Sequence, residues 1–463
     1  MDNRQLIPPH ILSIYKLFVE KNYELYLVGG SIRNMLLGRK ITDWDLTTNA
    51  TPEEMLAILP NAFYDNKFGT VGVPVPEIED DKKVVEITTF RSESEYKDQR
   101  HPENVTWGKN IEGDLQRRDF TINAIALRLT SSDKEIVIDE KNLIDLHHGG
   151  DDLKEKIIRA VGDPNLRFKE DALRIMRAMR FATELGFRIE EKTWDAIKED
   201  VQLLKNISWE RIRDELLKIL ASENAYDGVM LLDAAGALEI IFPELIRGKG
   251  VSQVRPGRHH TSDVFTHNVL SLKHCPSNDP IVKLATLLHD VGKPFVIKED
   301  SEGHPIFYNH EVKGAMVAEE IADRLRLSKK QKEKIVTLIR WHMFTVDENI
   351  TDAAIRRFIR RVGLENVSDI MDLRIGDRLG SGTKTAESWR LKKVKERIVQ
   401  ELNPPFSPND LMIDGNDIMK ELNLEPGPKV GEMIQKIFLE VDEDLSKNNR
   451  EYLLKRIHEL AEA

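Results

Sequence analysis

The stretch LVGGSIRNMLLGRKITDWDLTT, residues 27–48, decides how the first part of the chain folds. Residues 23–30, which overlap its start, predict a strand that runs into a glycine turn. Residues 31–38 then predict a short helix that Gly38 ends, and residues 43–47 predict a second strand. A strand, a turn, a helix and a second strand in so short a span indicate a mixed α/β head.

Further elements extend this head before the pattern changes. Thr51 predicts a helix cap, residues 84–90 predict a strand, and residues 120–129 are apolar enough for a buried helix or strand. From about residue 151 onward the pattern is helical almost throughout; in residues 168–185, apolar side chains recur at three- and four-residue spacing. The sequence therefore predicts an α+β protein, with a mixed α/β head followed by an all-α remainder.

The length of 463 residues has room for about three domains. A glycine- and proline-bearing stretch at residues 248–257 indicates a boundary, and the proline-rich residues 403–408 indicate a stiff linker. We expect four parts: a catalytic head at 1–150, a helical body at 151–250, a further helical domain at 251–402, and a helical tail at 403–463.

The composition excludes several classes of protein. Apolar residues make up 40% and charged residues 32%, which is typical of a soluble globular chain. No apolar run is long enough to span a bilayer, and no signal peptide is evident, so we expect a cytoplasmic protein without a membrane partner. A single cysteine, Cys275, excludes a disulfide scaffold and a cysteine-built metal site.

The net charge is −11, yet two windows are basic. Residues 321–361 carry +6 (11 basic, 5 acidic), and residues 384–397 carry +4 (6 basic, 2 acidic). These windows are suited to contact with phosphates. They are equally typical of solvated helix faces.

Two aspartates in the deciding stretch are the first candidate site. Asp43 and Asp45 are two apart on a predicted strand, so both carboxylates face one side and Trp44 faces the other. Paired carboxylates suit Mg²⁺ bound together with substrate phosphates. The glycine pair at residues 29–30 lets backbone N–H groups approach a triphosphate, and Arg33 can pair with phosphate oxygens. Alone, an Asp-x-Asp is more often an exposed acidic pair; with the glycines and the arginine, a nucleotide site is favoured.

These motifs carry a resemblance that covers roughly residues 20–245. The stretch resembles the signature of the class II tRNA nucleotidyltransferases and bacterial poly(A) polymerases, within the polymerase-β-like superfamily. RRDFTINAIA (117–126) is similar to the second motif of that family, and EDALR (170–174) matches its Glu-Asp-x-x-Arg motif. The tail at 414–431 resembles the C-terminal end of bacterial CCA-adding enzymes.

The resemblance implies roles for individual residues. Asp43 and Asp45 would hold catalytic Mg²⁺, and Asp119 would lie near the ribose hydroxyl. Asp171 and Arg174, three apart on one predicted helix, would read the incoming base in place of a template. The expected nucleotide-binding residues are Gly29, Gly30, Arg33, Arg117, Arg118, Asp119, Asn123, Asp171, Arg174, Arg177 and Arg180.

Some of these positions have plainer interpretations. Asp171 and Arg174 also suit an ordinary ion pair, and Arg177 and Arg180 also suit a solvated stripe. Glu86 is either a third carboxylate of the site or an exposed strand residue. Asn34 stands where the family usually has Asp, and we interpret it as a helper to the turn.

Histidines and aspartates in the helical part form a second candidate site. His289-Asp290 lies in an apolar stretch, and imidazole and carboxylate are the ligands expected in a hydrolytic metal centre. The arrangement over about residues 260–380 resembles the HD phosphohydrolase superfamily. It implies a divalent metal, of an identity that the sequence leaves open, held by His267, His289, Asp290 and Asp377. His310 and His342 match positions for a second metal or a substrate phosphate, whereas His259 and His260 are expected to be polar loop residues.

The sequence therefore predicts a tRNA nucleotidyltransferase that adds or repairs the 3′-terminal CCA of tRNA from CTP and ATP. The hypothesis for the HD domain is a phosphohydrolase or cyclic phosphodiesterase that processes 3′ ends. The segment between Phe90 and Arg117 is expected to include the flexible element of the CTP-to-ATP switch, and its length favours full CCA addition. The alternatives are CC-only or A-only addition, a poly(A) polymerase, a protein uridylyltransferase-like signalling enzyme, and a non-catalytic RNA-binding protein. The oligomeric state stays open.

Overall fold

The structure, a computed structural model, divides into two compact units, residues 1–243 and 244–463. The division lies close to the boundary predicted from the glycine- and proline-bearing stretch. The residues that the structure describes are 8–41, 43–66, 69–75, 84–91, 107–108, 110–129, 141–254, 262–344, 350–383, 385–386, 389–401 and 407–462. The predictions for His259, His260 and most of the segment between Phe90 and Arg117 lie outside them.

The first unit contains a mixed seven-stranded sheet in the order β3-β4-β5-β2-β1-β6-β7. Only β2 and β5 pair in parallel among these neighbours, and the other pairs are antiparallel. The strands are β1 (Leu25–Val28), β2 (Asp45–Thr48), β3 (Phe63–Asn66), β4 (Thr70–Pro74), β5 (Val84–Thr89), β6 (Ile125–Arg128) and β7 (Leu143–Asp145).

Helices surround this sheet and continue beyond it in the first unit. Two short strands, β8 (Ile157–Ile158) and β9 (Arg188–Ile189), pair with each other in parallel. The helices are α1 (Pro9–Glu20), α2 (Gly29–Leu36), α3 (Pro52–Ile58), α4 (Ile111–Gln116), α5 (Gly149–Glu155), α6 (Pro164–Glu170), α7 (Leu173–Leu185), α8 (Glu191–Asp200), α9 (Trp209–Ala221), α10 (Ala225–Ala234) and α11 (Ala237–Ile241), with 3₁₀ turns at Thr121–Asn123 and Val201–Asn206.

Local sequence signals explain several of these elements. Thr51 accepts a hydrogen bond from the Glu54 backbone, and the Glu54 carboxylate accepts one from the Thr51 backbone, so the predicted cap of α3 is a complete capping box. Residues 120–129 form a 3₁₀ turn followed by β6, and their side chains are almost all buried. The mixed sheet and the helical remainder confirm the predicted α+β class.

The second unit is almost entirely helical, with one two-stranded ribbon. A short helix, α12 (Pro243–Ile246), begins at the division between the units. The other elements are α13 (Val264–Lys273), α14 (Pro280–Leu288), α15 (Lys293–Val296), β10 (Lys298–Glu299), β11 (Pro305–Ile306), α16 (His310–Arg324), α17 (Lys329–Trp341), α18 (Asp352–Val362), α19 (Val367–Gly380), α20 (Trp389–Glu401), α21 (Gly415–Leu422), α22 (Pro428–Glu443) and α23 (Arg450–Glu462), with 3₁₀ turns at Leu364–Asn366, Pro408–Asp410 and Leu445–Lys447.

Close packing of α13 against α19 shapes the centre of the second unit. A Cβ atom at Gly376 would lie 2.6 Å from the Ser271 carbonyl oxygen, and one at Gly380 would lie 2.3 Å from the Ser271 Oγ. Only glycine leaves room for the two backbones to approach so closely. No helix in the described part of the chain is long and apolar enough to cross a membrane.

Candidate active site and candidate metal centre

A cavity of about 550 Å³ opens in the first unit where β1, β2 and β5 meet helices α7 and α9, which carry several arginines. It collects residues from segments that are far apart in the sequence. Ten of the predicted site residues line it: Gly29, Gly30, Asp45, Arg117, Arg118, Asp119, Asn123, Asp171, Arg174 and Arg177. Glu86 and Arg211 line it as well.

The carboxylates at one side of the cavity come from neighbouring parallel strands. Asp45, at the start of β2, stands opposite Glu86 on β5 in the sheet register. Burial, together with the negative charges of Asp43 and Glu86, raises the pKa of Asp45 to about 6. Such a rise marks a place where a cation would stabilise the ionised carboxylate. Glu86 therefore belongs to this cavity.

The prediction that Asp43 and Asp45 share one strand is wrong for Asp43. Strand β2 begins at Asp45, and Asp43 lies in a bend before it. The Ser31 hydroxyl explains the bend, because it donates to the Asp43 carbonyl oxygen at 2.8 Å and accepts from the Asp45 backbone N–H at 2.7 Å. Asp43 is near enough to affect the pKa of Asp45, although it does not line the cavity.

The glycine pair brings the backbone against the Asp45 carboxylate. Gly29 has φ +61°, which favours glycine, and a Cβ atom there would lie 3.1 Å from the Arg118 guanidinium. The Gly30 N–H donates to Asp45 Oδ2 at 3.2 Å. The turn predicted from the sequence therefore opens α2 directly beside the carboxylates, where helix N–H groups favour anions.

Asp114, which the sequence analysis missed, orients two of the predicted arginines. Its buried carboxylate accepts from Arg117 at 2.7 Å and from Arg118 at 2.9 Å. Burial alone would raise the pKa of Asp114, but the two guanidinium groups outweigh it and hold the pKa at about 2. The three- and four-residue spacing on α4 was the available signal.

A second buried aspartate organises the middle of the cavity. Asp119 Oδ2 accepts from Arg177 at 2.6 Å, and Asp119 Oδ1 accepts from the Asn123 amide at 3.2 Å. Arg177 chiefly offsets the cost of burial, so the pKa of Asp119 lies at about 2. Arg33 donates to Asn123 Oδ1 at 2.8 Å and to Asn34 Oδ1 at 3.2 Å. Asn34 thus contributes a hydrogen bond to the turn region.

Asp171 lies in a break between two helices, which corrects the prediction that it shares one helix with Arg174. Helix α6 ends at Glu170 and α7 begins at Leu173. Asp171 Oδ1 accepts from the Leu173 backbone N–H at 3.1 Å, as an N-terminal cap would. The break takes the Asp171 backbone out of the helical conformation, and its side chain lines the cavity.

Neighbouring residues hold both side chains that the sequence analysis predicted to read the base. Arg211 on α9 forms a two-pronged ion pair with Asp171, at 3.1 Å to Oδ1 and 2.7 Å to Oδ2. Arg174 donates to the Arg117 carbonyl oxygen at 2.9 Å and to the Glu170 carboxylate at 2.6 Å. Sequence reasoning missed Arg211, because its partner lies 40 residues away.

Arg33 and Arg180, both predicted to bind nucleotide, do not line the cavity. Their guanidinium groups lie over the Phe181 ring, at 5.0 Å and 4.1 Å from its centroid. Arg180 also pairs with Glu215 at 2.6 Å. Their part in nucleotide binding stays a prediction.

The second unit brings together the histidines and aspartates predicted for a metal centre. His267 on α13 and His289 after α14 have their Nε2 atoms 3.1 Å apart. Asp377 Oδ1 on α19 lies 3.3 Å from His267 Nε2, and Asp290 Oδ2 lies 3.4 Å from the Nε2 atoms of both histidines. Ligands of one metal at about 2.1 Å stand about 3–3.5 Å from each other. His267, His289 and Asp290 form a group with this spacing, and Asp377 Oδ1 lies beside the two histidines.

His310 and His342 form a second half of the same cluster. Their Nε2 atoms lie 3.2 Å and 3.6 Å from Asp290 Oδ1, the oxygen that faces away from His267 and His289. The two Nε2 atoms are 3.3 Å apart. Asp290, His310 and His342 therefore form a second group, which would hold a further ion or a substrate phosphate.

Backbone carbonyl groups set the orientation of three of these rings. The Nδ1 atoms of His289, His310 and His342 bond to the carbonyl oxygens of residues 286, 307 and 339, at 2.7–2.8 Å. A ring that donates from Nδ1 presents the Nε2 lone pair, as a metal ligand requires. The local geometry thus prepares all three rings for coordination.

Lys293 and Arg374, which the sequence analysis missed, neutralise the carboxylates of this centre. Lys293 lies 2.5 Å from Asp290 Oδ2, and Arg374 lies 2.7 Å from Asp377 Oδ2. The positive charges of Lys293 and His289 hold the pKa of Asp290 well below its usual range despite burial. Burial opposes the imidazolium of His289, but the carboxylates of Asp290 and Asp377 raise its pKa to about 10.

Comparisons with known proteins match most of the chain. Family models match residues 25–159 (poly(A) polymerase head domain), 186–248 (RNA and SrmB-binding site of polymerase A) and 308–457 (tRNA nucleotidyltransferase domain 2). The A-adding tRNA nucleotidyltransferase of Deinococcus radiodurans is 33% identical, over 88% of this chain and 89% of the relative. The CCA-adding enzyme of Lactococcus lactis subsp. cremoris is 32% identical, over 96% and 94%.

Solved structures agree with these relatives. The Bacillus stearothermophilus CCA-adding enzyme in complex with CTP is 26% identical, covers 98% of both chains and has a TM-score of 0.70. The Thermotoga maritima CCA-adding enzyme complexed with tRNA_CCA is 21% identical and covers 100% of both chains, with a TM-score of 0.58, which shows a shared fold.

Proposed function

The chain belongs to the tRNA nucleotidyltransferase family of the CCA-adding enzymes, and from that membership we propose that it adds the 3′-terminal CCA to tRNA from CTP and ATP without a nucleic-acid template. One observation carries this proposal. A single cavity joins the Asp45 and Glu86 carboxylates, two arginines suited to a triphosphate, and the Asp171–Arg174 pair. Solved CCA-adding enzymes that resemble this chain are in complex with ATP, with CTP or with tRNA_CCA.

Nucleotidyltransferases of this family use a divalent metal, and the proposed ion here is Mg²⁺. Asp43 and Asp45 would hold it, and Glu86 is a further carboxylate of the same cavity. The raised pKa of Asp45 supports this assignment, because a cation would favour the ionised carboxylate. Bound Mg²⁺ would offset the charge of the phosphates and favour ionisation of the attacking hydroxyl.

The remaining residues of the cavity position the substrates. Arg117 and Arg118 would pair with the triphosphate, and the N–H groups at the start of α2 would approach it. The tRNA 3′-hydroxyl attacks the α-phosphorus in line and loses its proton, while the bond to pyrophosphate breaks. Holding both reactants in this geometry is the main contribution of the protein.

Base selection is assigned to Asp171 and Arg174. A carboxylate accepts hydrogen bonds from the exocyclic amines of cytosine and adenine, and a guanidinium donates to their ring nitrogens or carbonyl oxygen. Uracil and guanine present a different order of donors and acceptors on that edge. The pair can therefore favour C and A without a template strand.

The experiment offers purified protein three tRNA transcripts, ending before CCA, after C and after CC. Each receives CTP alone, ATP alone or both, with Mg²⁺. Full CCA addition predicts that all three grow to a CCA end and stop. Long A-tails would favour a poly(A) polymerase, and no extension would remove the proposed activity.

A-only addition is the second candidate, because an A-adding enzyme matches this chain as well as the CCA-adding enzymes do. The same assay separates the two. Extension of only the CC-ended transcript, with ATP alone, would identify an A-adding enzyme. A stop at CC in every reaction would identify a CC-adding one.

The second proposed activity is hydrolysis of phosphate esters at the His/Asp cluster of the HD-like domain. Four imidazoles and the Asp290 carboxylate form two buried groups that suit divalent metals, and Asp377 adds a second carboxylate beside His267. A metal there would polarise the phosphoryl group and supply a hydroxide near neutral pH. Water attacks phosphorus, the P–O bond to the sugar breaks, and the released oxygen takes a proton.

The test of this second activity uses 2′,3′-cyclic AMP and p-nitrophenyl phosphate with Mg²⁺, Mn²⁺, Ni²⁺ or Zn²⁺. Asp290→Ala is expected to remove hydrolysis and leave CCA addition intact. Unchanged hydrolysis in that variant would contradict the assignment.

For the whole chain we propose four parts: a head at 1–150, a body at 151–250, an HD-like domain at 251–402 and a tRNA-binding tail at 403–463. The proposed location is the cytosol, where a single buried cysteine stays reduced.

A further inference from the structure

A cavity of about 480 Å³ lies in the second unit between the end of α17, α18 and α20. Its walls combine aromatic rings, aliphatic side chains and arginines. Trp341, Phe344 and Phe358 supply the rings, and the centroids of the two phenylalanine rings are 4.7 Å apart. No described lining residue is acidic, whereas Arg357 and Arg361 both line the cavity. It is therefore suited to a flat, partly apolar ligand that carries negative charge.

One wall of the cavity, at Phe344, lies near the His/Asp cluster. Trp341 directly precedes the cluster residue His342, and Phe344 follows it by two positions. The Arg374 guanidinium joins the two places, because it lies 5.8 Å from the Phe344 ring centroid and 2.7 Å from Asp377 Oδ2. The sum of these two distances and the length of one guanidinium C–N bond places the centroid of the Phe344 ring within about 10 Å of Asp377 Oδ2. One nucleotide spans such a gap between its base and its phosphate.

Arginines lie near the rings, and a guanidinium pairs well with phosphate oxygens. Arg340 and Arg361 lie over the Trp341 ring, at 4.5 Å and 5.1 Å from its centroid. Arg361 is exposed, and Arg357 pairs with Glu443 at the rim. Proteins that bind unpaired nucleotides stack bases on aromatic rings and meet the backbone with arginine.

We propose that this cavity binds the base of a 3′-terminal ribonucleotide whose terminal phosphate reaches the His/Asp cluster. The proposal rests on the hydrolytic activity proposed above and names its substrate class. A free nucleotide and an RNA 3′ end share this chemistry, and the substrate arms below separate them. Within the proposal, Phe358 and Arg361 are positioning residues, since neither touches the reacting phosphate.

The test compares wild-type protein with Phe358→Leu, Arg361→Gln and the control Lys330→Gln, which removes an exposed charge from α17 away from the cavity. The substrates are 2′,3′-cyclic AMP, an RNA oligonucleotide with a 2′,3′-cyclic phosphate end, and p-nitrophenyl phosphate, which has no base. Loss of one stacking contact predicts that KM for the nucleotide substrates rises at least about fivefold in the cavity variants. Hydrolysis of p-nitrophenyl phosphate, CCA addition and all values for Lys330→Gln should not change.

The outcomes separate this proposal from the activity on which it rests. Direct binding of adenosine 3′-phosphate is measured by calorimetry without turnover; the head is common to all variants, so only binding at this cavity can differ between them. Binding lost in Phe358→Leu and Arg361→Gln, with no hydrolysis by any protein, supports the cavity and removes the hydrolase. Hydrolysis with equal KM in all variants overturns the cavity. A KM effect on the oligonucleotide alone assigns the cavity to RNA ends.

Discussion

Arg211 donates to both oxygens of the Asp171 carboxylate, at 3.1 Å and 2.7 Å, in the wall of the 550 Å³ cavity of the first unit. The contact joins α9 to the break between α6 and α7. Oδ1 also accepts from the Leu173 backbone N–H, so both of its lone pairs are used, whereas Oδ2 keeps one lone pair that Arg211 does not use. The ion pair therefore fixes the direction in which Asp171 can accept a hydrogen bond from an incoming base.

Replacing Arg211 with Gln should weaken base selection more than catalysis. Without the two-pronged ion pair, Asp171 can rotate, and a charge-assisted contact of about 1.5–3 kcal/mol is lost. We expect kcat/KM for CTP and ATP to fall at least about tenfold, with a rise in UTP or GTP incorporation. Single-nucleotide extension of tRNA transcripts measures both.

The matched control for this variant is Arg213→Gln, on the same helix, since Arg213 pairs with the neighbouring Asp214. It should retain normal selection. Equal loss for all four nucleotides in Arg211→Gln would mean that Arg211 supports only the fold of the cavity. Selection that survives unchanged would separate Asp171 from base reading.

Asp114→Asn should lower stability and weaken triphosphate binding without altering base choice. Two arginines lose their buried counterion. The depressed pKa of about 2 corresponds to a contribution of about 2 kcal/mol to the free energy of unfolding at neutral pH. The pKa is lower in the folded than in the unfolded state, so this contribution is present above about pH 4. It is lost as the pH falls from about 4 towards 2.

Thermal melts of wild type and Asp114→Asn at several pH values check this sign. The difference between the two proteins should be largest near neutral pH and shrink below about pH 4. KM for CTP and ATP should rise together, while Glu112→Gln, an exposed change on the same helix, should match wild type. A stability difference that grows in acid would contradict the prediction.

Sequence patterns predicted the parts of the site that lie within one local segment. The glycine turn, the cap at Thr51 and the His289-Asp290 step follow from short-range rules, and the structure has each of them. The partners that hold site residues in place were harder to predict. Arg211 meets Asp171 from 40 residues away and Lys293 neutralises Asp290 inside a fold, so no local pattern points to either contact.

Two sequence-based errors have one physical cause. Residues 168–185 have a helical apolar period, and residues 43–47 look like a continuous strand, yet both are interrupted at a site residue. Hydrogen bonds from Leu173 to Asp171 and from Ser31 to the Asp43 carbonyl compensate for the lost regular bonds. Periodicity reports burial, and it does not register a break that side-chain hydrogen bonds stabilise.

Gly376→Ala should disrupt the His/Asp cluster while leaving nucleotide addition intact. The new Cβ would lie 2.6 Å from the Ser271 carbonyl oxygen, so α19 must move away from α13 and separate Asp377 from His267. We expect the free energy of unfolding to fall by about 1–3 kcal/mol, although alanine has the better helix propensity. Divalent-metal binding by the full chain, measured by calorimetry, should weaken.

Gly431→Ala is the control for that variant, because nothing lies within 4 Å of a Cβ atom at this helical glycine. It should be neutral or stabilising by up to about 1 kcal/mol. If Gly376→Ala binds metal and melts like wild type, the close approach of α13 and α19 does not position the cluster.

Asp45→Asn and Glu86→Gln should separate the metal-holding roles of two carboxylates that face each other across β2 and β5. Asp45 accepts from the Gly30 N–H and lies at the centre of the negative charge, so its loss should reduce tRNA extension at least about a thousandfold. Glu86→Gln should reduce tRNA extension about 10- to 100-fold, which is the range for a residue that supports a metal site without being a ligand. A higher Mg²⁺ concentration should partly restore its activity.

Glu53→Gln, an exposed change on α3, should behave as wild type in the same extension assay. Equal inactivity of Asp45→Asn and Glu86→Gln, with no response to Mg²⁺, would make Glu86 a direct ligand. Extension by Asp45→Asn at the wild-type rate would remove the proposed metal from this end of the cavity.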